Sequence, residues 1–218
     1  TGLRIPLPGS LLNPEDKYYN LLNLQSFFGR SNVDIMNKYL FTFSLRADGS
    51  SLFKKDNRWG YFPSAAFAWK MNEESFIKNS ANIQELKLRL GWGKTGQQDI
   101  TGIAGFYPSM PLFQVGASNA QYFPGVYTYS AIAYNENLKW ETTTPFNAGV
   151  DFTLFKNLIS GSIDVYDRKT TDLLAKVPMF PGQALSNEFV NNVGSMTNRG
   201  AEGNLTITPI RGETWNWS

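Results

Sequence analysis

The chain has 218 residues, enough for one sizeable domain or a piece of a larger one; 17% are charged and 15% aromatic, with 16 Phe, 10 Tyr and 6 Trp. It has no histidine and no cysteine, which excludes imidazole triads, histidine-ligated metals, thiol nucleophiles, disulfides and iron–sulfur clusters. Twenty Lys+Arg against 18 Asp+Glu give a net charge of +2 without a basic run, so no nucleic-acid partner is expected, and no stretch approaches the roughly 18 apolar residues of a membrane-spanning helix. The chain opens at Thr1 without a signal-peptide pattern, as a mature or trimmed product would.

Residues 20–47 read as a hairpin turning near Met36 to Lys38. Its first arm carries a weak alternation over residues 27–35, with Arg30, Asn32 and Asp34 on the polar side. In the second arm Tyr39, Phe41, Phe43, Leu45 and Ala47 alternate with Leu40, Thr42, Ser44 and Arg46. That is period two, the signature of a strand with one apolar face. A polar loop follows, in which Asp48-Gly49-Ser50-Ser51 is expected to form a tight turn, and residues 60–70 are expected to form the next strand. Between Lys70 and Leu86 lies one modest helix candidate, with Asn72 as N-cap and Glu73 and Glu74 in its first turn.

Leu86, Leu88, Leu90 and Trp92 define a further strand, as do Phe146, Ala148, Val150, Phe152 and Leu154. Ile159, Gly161, Ile163 and Val165 define another, and Ala201, Gly203, Leu205 and Ile207 a last one. Long connections over residues 94–136 and 169–198 separate some of these strands, while short turns separate others. Loops of that length usually carry function.

Two architectures give this pattern: a soluble sandwich, whose apolar face is a core, and an outer-membrane barrel, whose apolar face meets lipid. Polar faces mixing Arg, Lys, Asp and Asn with Gly, and strands of about 9 to 11 residues, favour the barrel. So does a collection of aromatics at strand ends, which resembles interfacial girdles: Tyr39, Phe53, Trp59, Tyr61, Phe62, Trp69, Trp92, Trp140, Trp215 and Trp217.

Residues 38–51, followed by Asn57-Arg58-Trp59-Gly60-Tyr61-Phe62-Pro63-Ser64 and Trp69, resemble the SusC/RagA-like TonB-dependent outer-membrane transporters. The resemblance continues through Leu86-Lys87-Leu88-Arg89-Leu90-Gly91-Trp92-Gly93-Lys94-Thr95-Gly96-Gln97-Gln98, Asn137-Leu138-Lys139-Trp140-Glu141-Thr142-Thr143 and Ser162-Ile163-Asp164-Val165-Tyr166, and ends at residues 192–202. Thr197 stands where the family usually has an acidic residue, and Gly203 where it has a bulky apolar one. The resemblance implies an antiparallel barrel of 22 strands with long extracellular loops, and a plug that contacts TonB. It also implies a SusD-like surface lipoprotein as lid, contact with outer-membrane lipid, and import of oligosaccharides or peptides without enzymatic chemistry or a cofactor. Within that frame residues 1–218 are expected to supply roughly seven to nine strands of the wall, with no plug or TonB box among them.

Gly91-Trp92-Gly93-Lys94-Thr95-Gly96 satisfies G-x-G-x-x-G, but residues 97–102 offer no helix to receive a pyrophosphate, so the glycines are read as turn formers. Asp164 and Asp167, with Glu141 or Asp151, are the carboxylates from which a glycosidase pair could be drawn. Asn204-Leu205-Thr206 and Asn216-Trp217-Ser218 match a glycosylation pattern that is coincidental in a bacterial outer membrane. The long loops hold the main binding candidates: Phe106, Tyr107, Phe113, Tyr122, Phe123, Tyr127 and Tyr129. Aromatic faces stack on sugar rings or anchor peptides, and equally pack loop against loop or against a lid. A soluble all-β carbohydrate-binding module would use the same residues.

Overall fold

The computed structural model describes residues 20–115, 121–123, 126–127, 129–180, 187–211 and 216–217. Seven long strands dominate: β1 Leu24–Ile35, β2 Tyr39–Ser50, β3 Trp59–Lys70, β4 Ile83–Gly93, β5 Thr142–Leu154, β6 Ile159–Thr171 and β7 Ser195–Ile207. They pair in chain order as one antiparallel up-and-down sheet. Two tight turns and the connection over residues 71–82 close one end. The β1–β2 turn holds Met36 and Asn37 at φ 57° and 56°, with Lys38 N donating to Ile35 O at 3.1 Å, as hairpins with two left-handed central residues do. The β5–β6 turn uses Phe155, Lys156 and Asn157 in the same region.

Several strands run further toward the long-connection end than alternation predicts. β5 starts at Thr142 and β6 ends at Thr171 because Thr142 pairs with Thr171 and Thr143 with Thr170 through their hydroxyls, at 3.1 and 2.9 Å. A run of threonines carries no apolar alternation, so periodicity is blind to it. The long connections are partly built as hairpins, Leu112–Val115 with Tyr129–Ile132, Gln121–Phe123 with Val126–Tyr127, and Leu174–Pro178 with Glu188–Asn192.

The helix expected after Lys70 is not α-helical. Met71–Glu73 form a single 3-10 turn whose N-cap is Lys70, without a side-chain cap. The reason is visible in Glu74, whose carboxylate is used by the neighbouring strands instead of a helix. It accepts hydrogen bonds from Tyr39 Oη (2.7 Å), Lys38 Nζ (3.0 Å) and Trp69 Nε1 (3.2 Å). This clamps the start of β2 and the end of β3 to the connection, and these three donors hold the Glu74 carboxyl below the usual carboxylate range. A depressed folded-state pKa stabilises fully above the ordinary glutamate value, and the contribution is lost as pH falls through the folded one. The difference in melting temperature between the wild-type protein and Glu74→Gln is therefore expected to be constant near neutrality and to close in acid. A difference independent of pH would show that the charge of Glu74 is immaterial.

The sheet has two chemically different faces. On the outward face Val33, Phe41, Phe67, Leu90, Ala148, Val165 and Ala201 form one continuous cross-strand row, apolar on all seven strands. Phe41 and Phe67 touch at 4.9 Å, and Tyr39 stacks on Trp69 at 6.2 Å. Among the described residues nothing covers this face: Phe43 is 50% exposed, Ile163 58% and Leu205 62%. A sandwich would bury it as a core.

The buried core lies elsewhere, at the long-connection end. Leu52, Phe53, Phe62, Ile100, Leu138 and Trp140 are buried together. Trp140 stacks on Phe53 at 4.9 Å, meets Phe62 edge-on at 5.6 Å, and donates its Nε1 hydrogen to Asn57 O and Arg58 O. Phe62 and Trp140 crowd Gly60 and Gly96, where a Cβ would collide with the Phe62 ring and press on that of Trp140. Phe53, Phe62 and Trp140 are thus interior residues, not members of a girdle. Trp59, Tyr61 and Trp92 are exposed and, with Tyr39 and Trp69, stand at outward-face positions of the register. Trp215 and the side chain of Trp217 lie outside the described residues.

Candidate functional site

The inward face is polar because the strands' alternate positions are. Asn32 Oδ1 accepts from Thr42 Oγ1 at 2.9 Å, and Ser44 and Ser64 share a hydroxyl hydrogen bond at 2.6 Å. The densest part spans β4 to β7. Arg89 on β4 grips Asp151 on β5 with two hydrogen bonds, Nε to Oδ2 at 2.9 Å and Nη2 to Oδ1 at 2.8 Å. The same Nη2 reaches Asp164 Oδ1 on β6 at 2.8 Å. Lys87 adds a second cation to Asp151 at 3.2 Å.

Asp164 in turn accepts from Ser162 Oγ at 3.2 Å, and Asn204 on β7 donates from Nδ2 to that hydroxyl while its Oδ1 accepts from Ser162 N, both at 2.9 Å. Register explains the reach across three strands. Arg89, Gly149 and Asp164 are direct cross-strand neighbours in one row, and Gly149 has no side chain to block the middle. A Cβ there would sit on the Asp164 carboxylate and the Arg89 guanidinium.

Beside this ladder is a shallow groove of about 390 Å³ whose lining includes Glu85, Thr153, Ser160, Ser162, Asn204 and Thr206. Hydroxyls, an amide and carboxylates at this density can hydrogen-bond a hydrated solute or a polar protein surface. The carboxylates are not arranged as an acid/base pair. Asp151 and Asp164 share one guanidinium, Asp167 points to the opposite, outward face where it accepts from Arg199 Nε, and Glu141 accepts from Leu174 N in a loop. Nothing in that geometry sets one carboxyl to protonate while another attacks.

Two motif readings change. Asp48 and Gly49 belong to β2, not to a turn; the turn starts at Ser51, and Asp48 accepts from Arg46 Nε at 2.7 Å instead of from its own backbone. Gly49 carries the Trp59 ring against its Cα. The glycines of residues 91–96 end β4 and begin a two-residue strand paired to β5. A single helical turn, Thr101–Ala104, does follow, although the sequence offers none. Asp99 drives it by accepting from Thr101 Oγ1 (2.6 Å) and N (2.9 Å), which also lowers the Asp99 carboxyl's pKa. Asn204 lies inside β7 with its amide in the ladder, not in a loop open to glycosylation; Asn216-Trp217-Ser218 lies partly outside the described residues.

The loop aromatics separate into groups. Phe106 and Tyr107 are half-buried, and Tyr107 Oη accepts from Leu21 N at 3.3 Å, which ties its loop to the start of the sheet. Phe113, Tyr122 and Phe123 are exposed on the hairpins, with Tyr122 and Phe123 edge-to-face at 4.6 Å. The backbones of Tyr127 and Tyr129 are in strands, and their side chains lie outside the described residues.

Beneath them the loops are stitched together. Asn135 Nδ2 donates to Val190 O and Asn191 Oδ1, Asn192 bonds both N and O of Lys139, and Lys54 pairs with Glu136. Residues 137–143, which carry part of the family resemblance, are therefore the keystone of this framework. Sequence reasoning missed both the framework and the ladder. The polar positions of β4, β5 and β6 were legible, but only register makes them one network.

Residues 5–218 match the family model described as TonB dependent receptor-like, beta-barrel. The chain is 46% identical over 209 residues to TonB-dependent receptor SusC of Bacteroides thetaiotaomicron, which covers 94% of this chain and 20% of that protein. It superposes on a structure of the RagAB peptide transporter with a TM-score of 0.77 at 32% identity, covering 89% of this chain and 21% of the other. The siderophore receptor PirA from Pseudomonas aeruginosa superposes at 0.57 with 16% identity over 88% of this chain and 32% of that one, a likeness of fold alone. The chain thus spans about a fifth of the length of the curated relatives it matches.

Proposed function

Because this chain belongs to the TonB dependent receptor-like, beta-barrel family, we propose that it is part of the wall of an outer-membrane importer. The importer takes up oligosaccharides or peptides by TonB-dependent active transport, together with a SusD-like surface lipoprotein, and does no chemistry on its cargo. In this reading residues 1–218 contribute their strands to a larger closed barrel, and the plug and the TonB contact belong to other parts of the parent protein. The observation that carries it is the outward apolar row on all seven strands, open to the surroundings, backed by an inward face of ion pairs and amides. Only a chain with lipid outside and water or protein inside gains from that division. The likeness to a peptide transporter supports peptides as one cargo class. Exposed Phe113, Tyr122 and Phe123, raised on the stitched loops, are the surfaces offered to cargo or lid; Phe106 and Tyr107 set their base, and Tyr127 and Tyr129 extend the same hairpins.

Cysteines placed one at a time at Thr42 and Phe43 of the full-length parent test the facing. Thr42→Cys is expected to react with a water-soluble thiol reagent admitted to the lumen, and Phe43→Cys with a lipid-soluble one. Equal labelling of the two by the aqueous reagent, or a parent that stays monodisperse in buffer without detergent, would remove the outer-membrane reading.

A further inference from the structure

The outward apolar run on β6 and β7 stops abruptly. Ile159, Gly161, Ile163 and Val165 pair with Ile207, Leu205, Gly203 and Ala201; the next outward pair is Asp167 with Arg199, and beyond it Lys169 with Thr197. Counted along the outward face from the short-turn end, Asp167 and Arg199 are fifth on their strands, in one cross-strand row with Phe146 on β5 and exposed Trp92 on β4. Eight residues of strand at about 3.3 Å each, tilted about 40°, rise roughly 20 Å. That is close to the ~25 Å height of the apolar band of such barrels, and the long-connection end is the extracellular one. The pair therefore stands where hydrocarbon gives way to headgroups.

Arg199 Nε donates to Asp167 Oδ2 at 2.7 Å, while its two Nη groups have no hydrogen-bond partner among the described residues. Exposed Lys169 has none either. One carboxylate against two cations leaves a surplus positive charge. Lys169 and Arg199 are diagonal neighbours, about 7–8 Å apart at the backbone, a span that two long side chains close on a single anion. An arginine edge with a lysine point charge beside it suits a phosphate.

We propose that Lys169 and Arg199 hold the phosphate of a membrane-lipid headgroup at the extracellular rim, with Asp167 orienting the guanidinium. A lipid is the occupant because the site continues into the exposed Ile163, Val165 and Leu205 surface, where its chains lie, and because its negative charge matches the surplus. The inference rests on the outer-membrane reading above.

The test uses the full-length parent in detergent micelles, with bound lipid counted by native mass spectrometry. The probes are diphosphorylated lipid A, its dephosphorylated form, and inorganic phosphate alone as competitor. The Lys169→Ala/Arg199→Ala double variant is expected to hold the phosphorylated lipid about five-fold or more less tightly and the dephosphorylated lipid unchanged. Lys169→Gln, which breaks no hydrogen bond or ion pair among the described residues, is expected to weaken it about two-fold to five-fold by itself. Equal retention of phosphorylated lipid by wild type and both variants overturns the proposal, as does equal retention of the two lipids by wild type. Displacement of the lipid by millimolar inorganic phosphate overturns the lipid assignment in favour of a simple anion site. A parent soluble without detergent overturns the outer-membrane reading instead, so the two failures are distinguishable.

Discussion

Replacing Trp140 by alanine is expected to remove about 3–5 kcal/mol from the stability of the loop framework, the usual cost of truncating a buried tryptophan. The side chain is buried against Phe53 and Phe62 and donates to two carbonyls of the β2–β3 loop. Its loss opens a cavity and leaves the Asn57 and Arg58 carbonyls without that donor. Because the core draws on the loop after β2, the connection after β4 and residues just before β5, the damage is expected to spread through all of them. Hydrogen exchange measures this directly. Amides of residues 97–104, 172–180 and 187–193 should lose protection in Trp140→Ala while the strand centres, Phe67 or Leu88 for example, keep theirs. Trp140→Phe retains most of the packing and should cost about 1–2 kcal/mol. Unchanged loop protection in Trp140→Ala would mean that the loops do not depend on this core.

The second large effect is expected at Gly149. A methyl group there meets the Asp164 carboxylate and the Arg89 guanidinium, so Gly149→Ala should push the Arg89 and Asp164 side chains apart and cost about 1–3 kcal/mol, as overpacking does. The network is partly hydrated, with Arg89 38%, Asp151 24% and Asp164 33% exposed, which keeps the electrostatic share toward the lower end of that range. The mechanism predicts coupling. With Arg89 already alanine, Asp164 is free to swing aside, and the cost of Gly149→Ala should shrink by about 1 kcal/mol in a double-mutant cycle. Urea unfolding of the parent barrel in detergent gives the four stabilities; additive costs would show that the glycine matters only through its own backbone.

These two sites also mark how far the sequence reaches. Alternation at Tyr39 to Ala47 or Phe146 to Leu154 is a local property: side chains two residues apart share a face whatever the rest of the chain does. It therefore located the strands, assigned Thr42 and Phe43 to opposite faces, and placed Asp151 and Asp164 on the polar one. Motifs at residues 57–64, 86–98 and 137–143 carried the family, which the match over residues 5–218 now establishes. Local reasoning failed at Asp48 and Gly49, where strand pairing with Gly60 and Trp59 overrode a turn composition. It failed at Glu74 as well, where three donors from neighbouring strands claimed a carboxylate that could have opened a helix.

The sequence by itself determined which residues alternate, hence the strands and their two faces, because a period of two needs no partner. Only the tertiary structure decided that Phe53, Phe62 and Trp140 turn inward to tie the loops while Trp59, Tyr61 and Trp92 stay outside. An aromatic at a strand end serves a lipid interface or a loop core equally well, and which one it joins depends on chain that arrives from 40 to 90 residues away. The Arg89, Asp151 and Asp164 network has the same origin: its members are 62 and 75 residues apart in sequence, and only the register of three strands, with a glycine in the middle row, brings them within hydrogen-bonding distance.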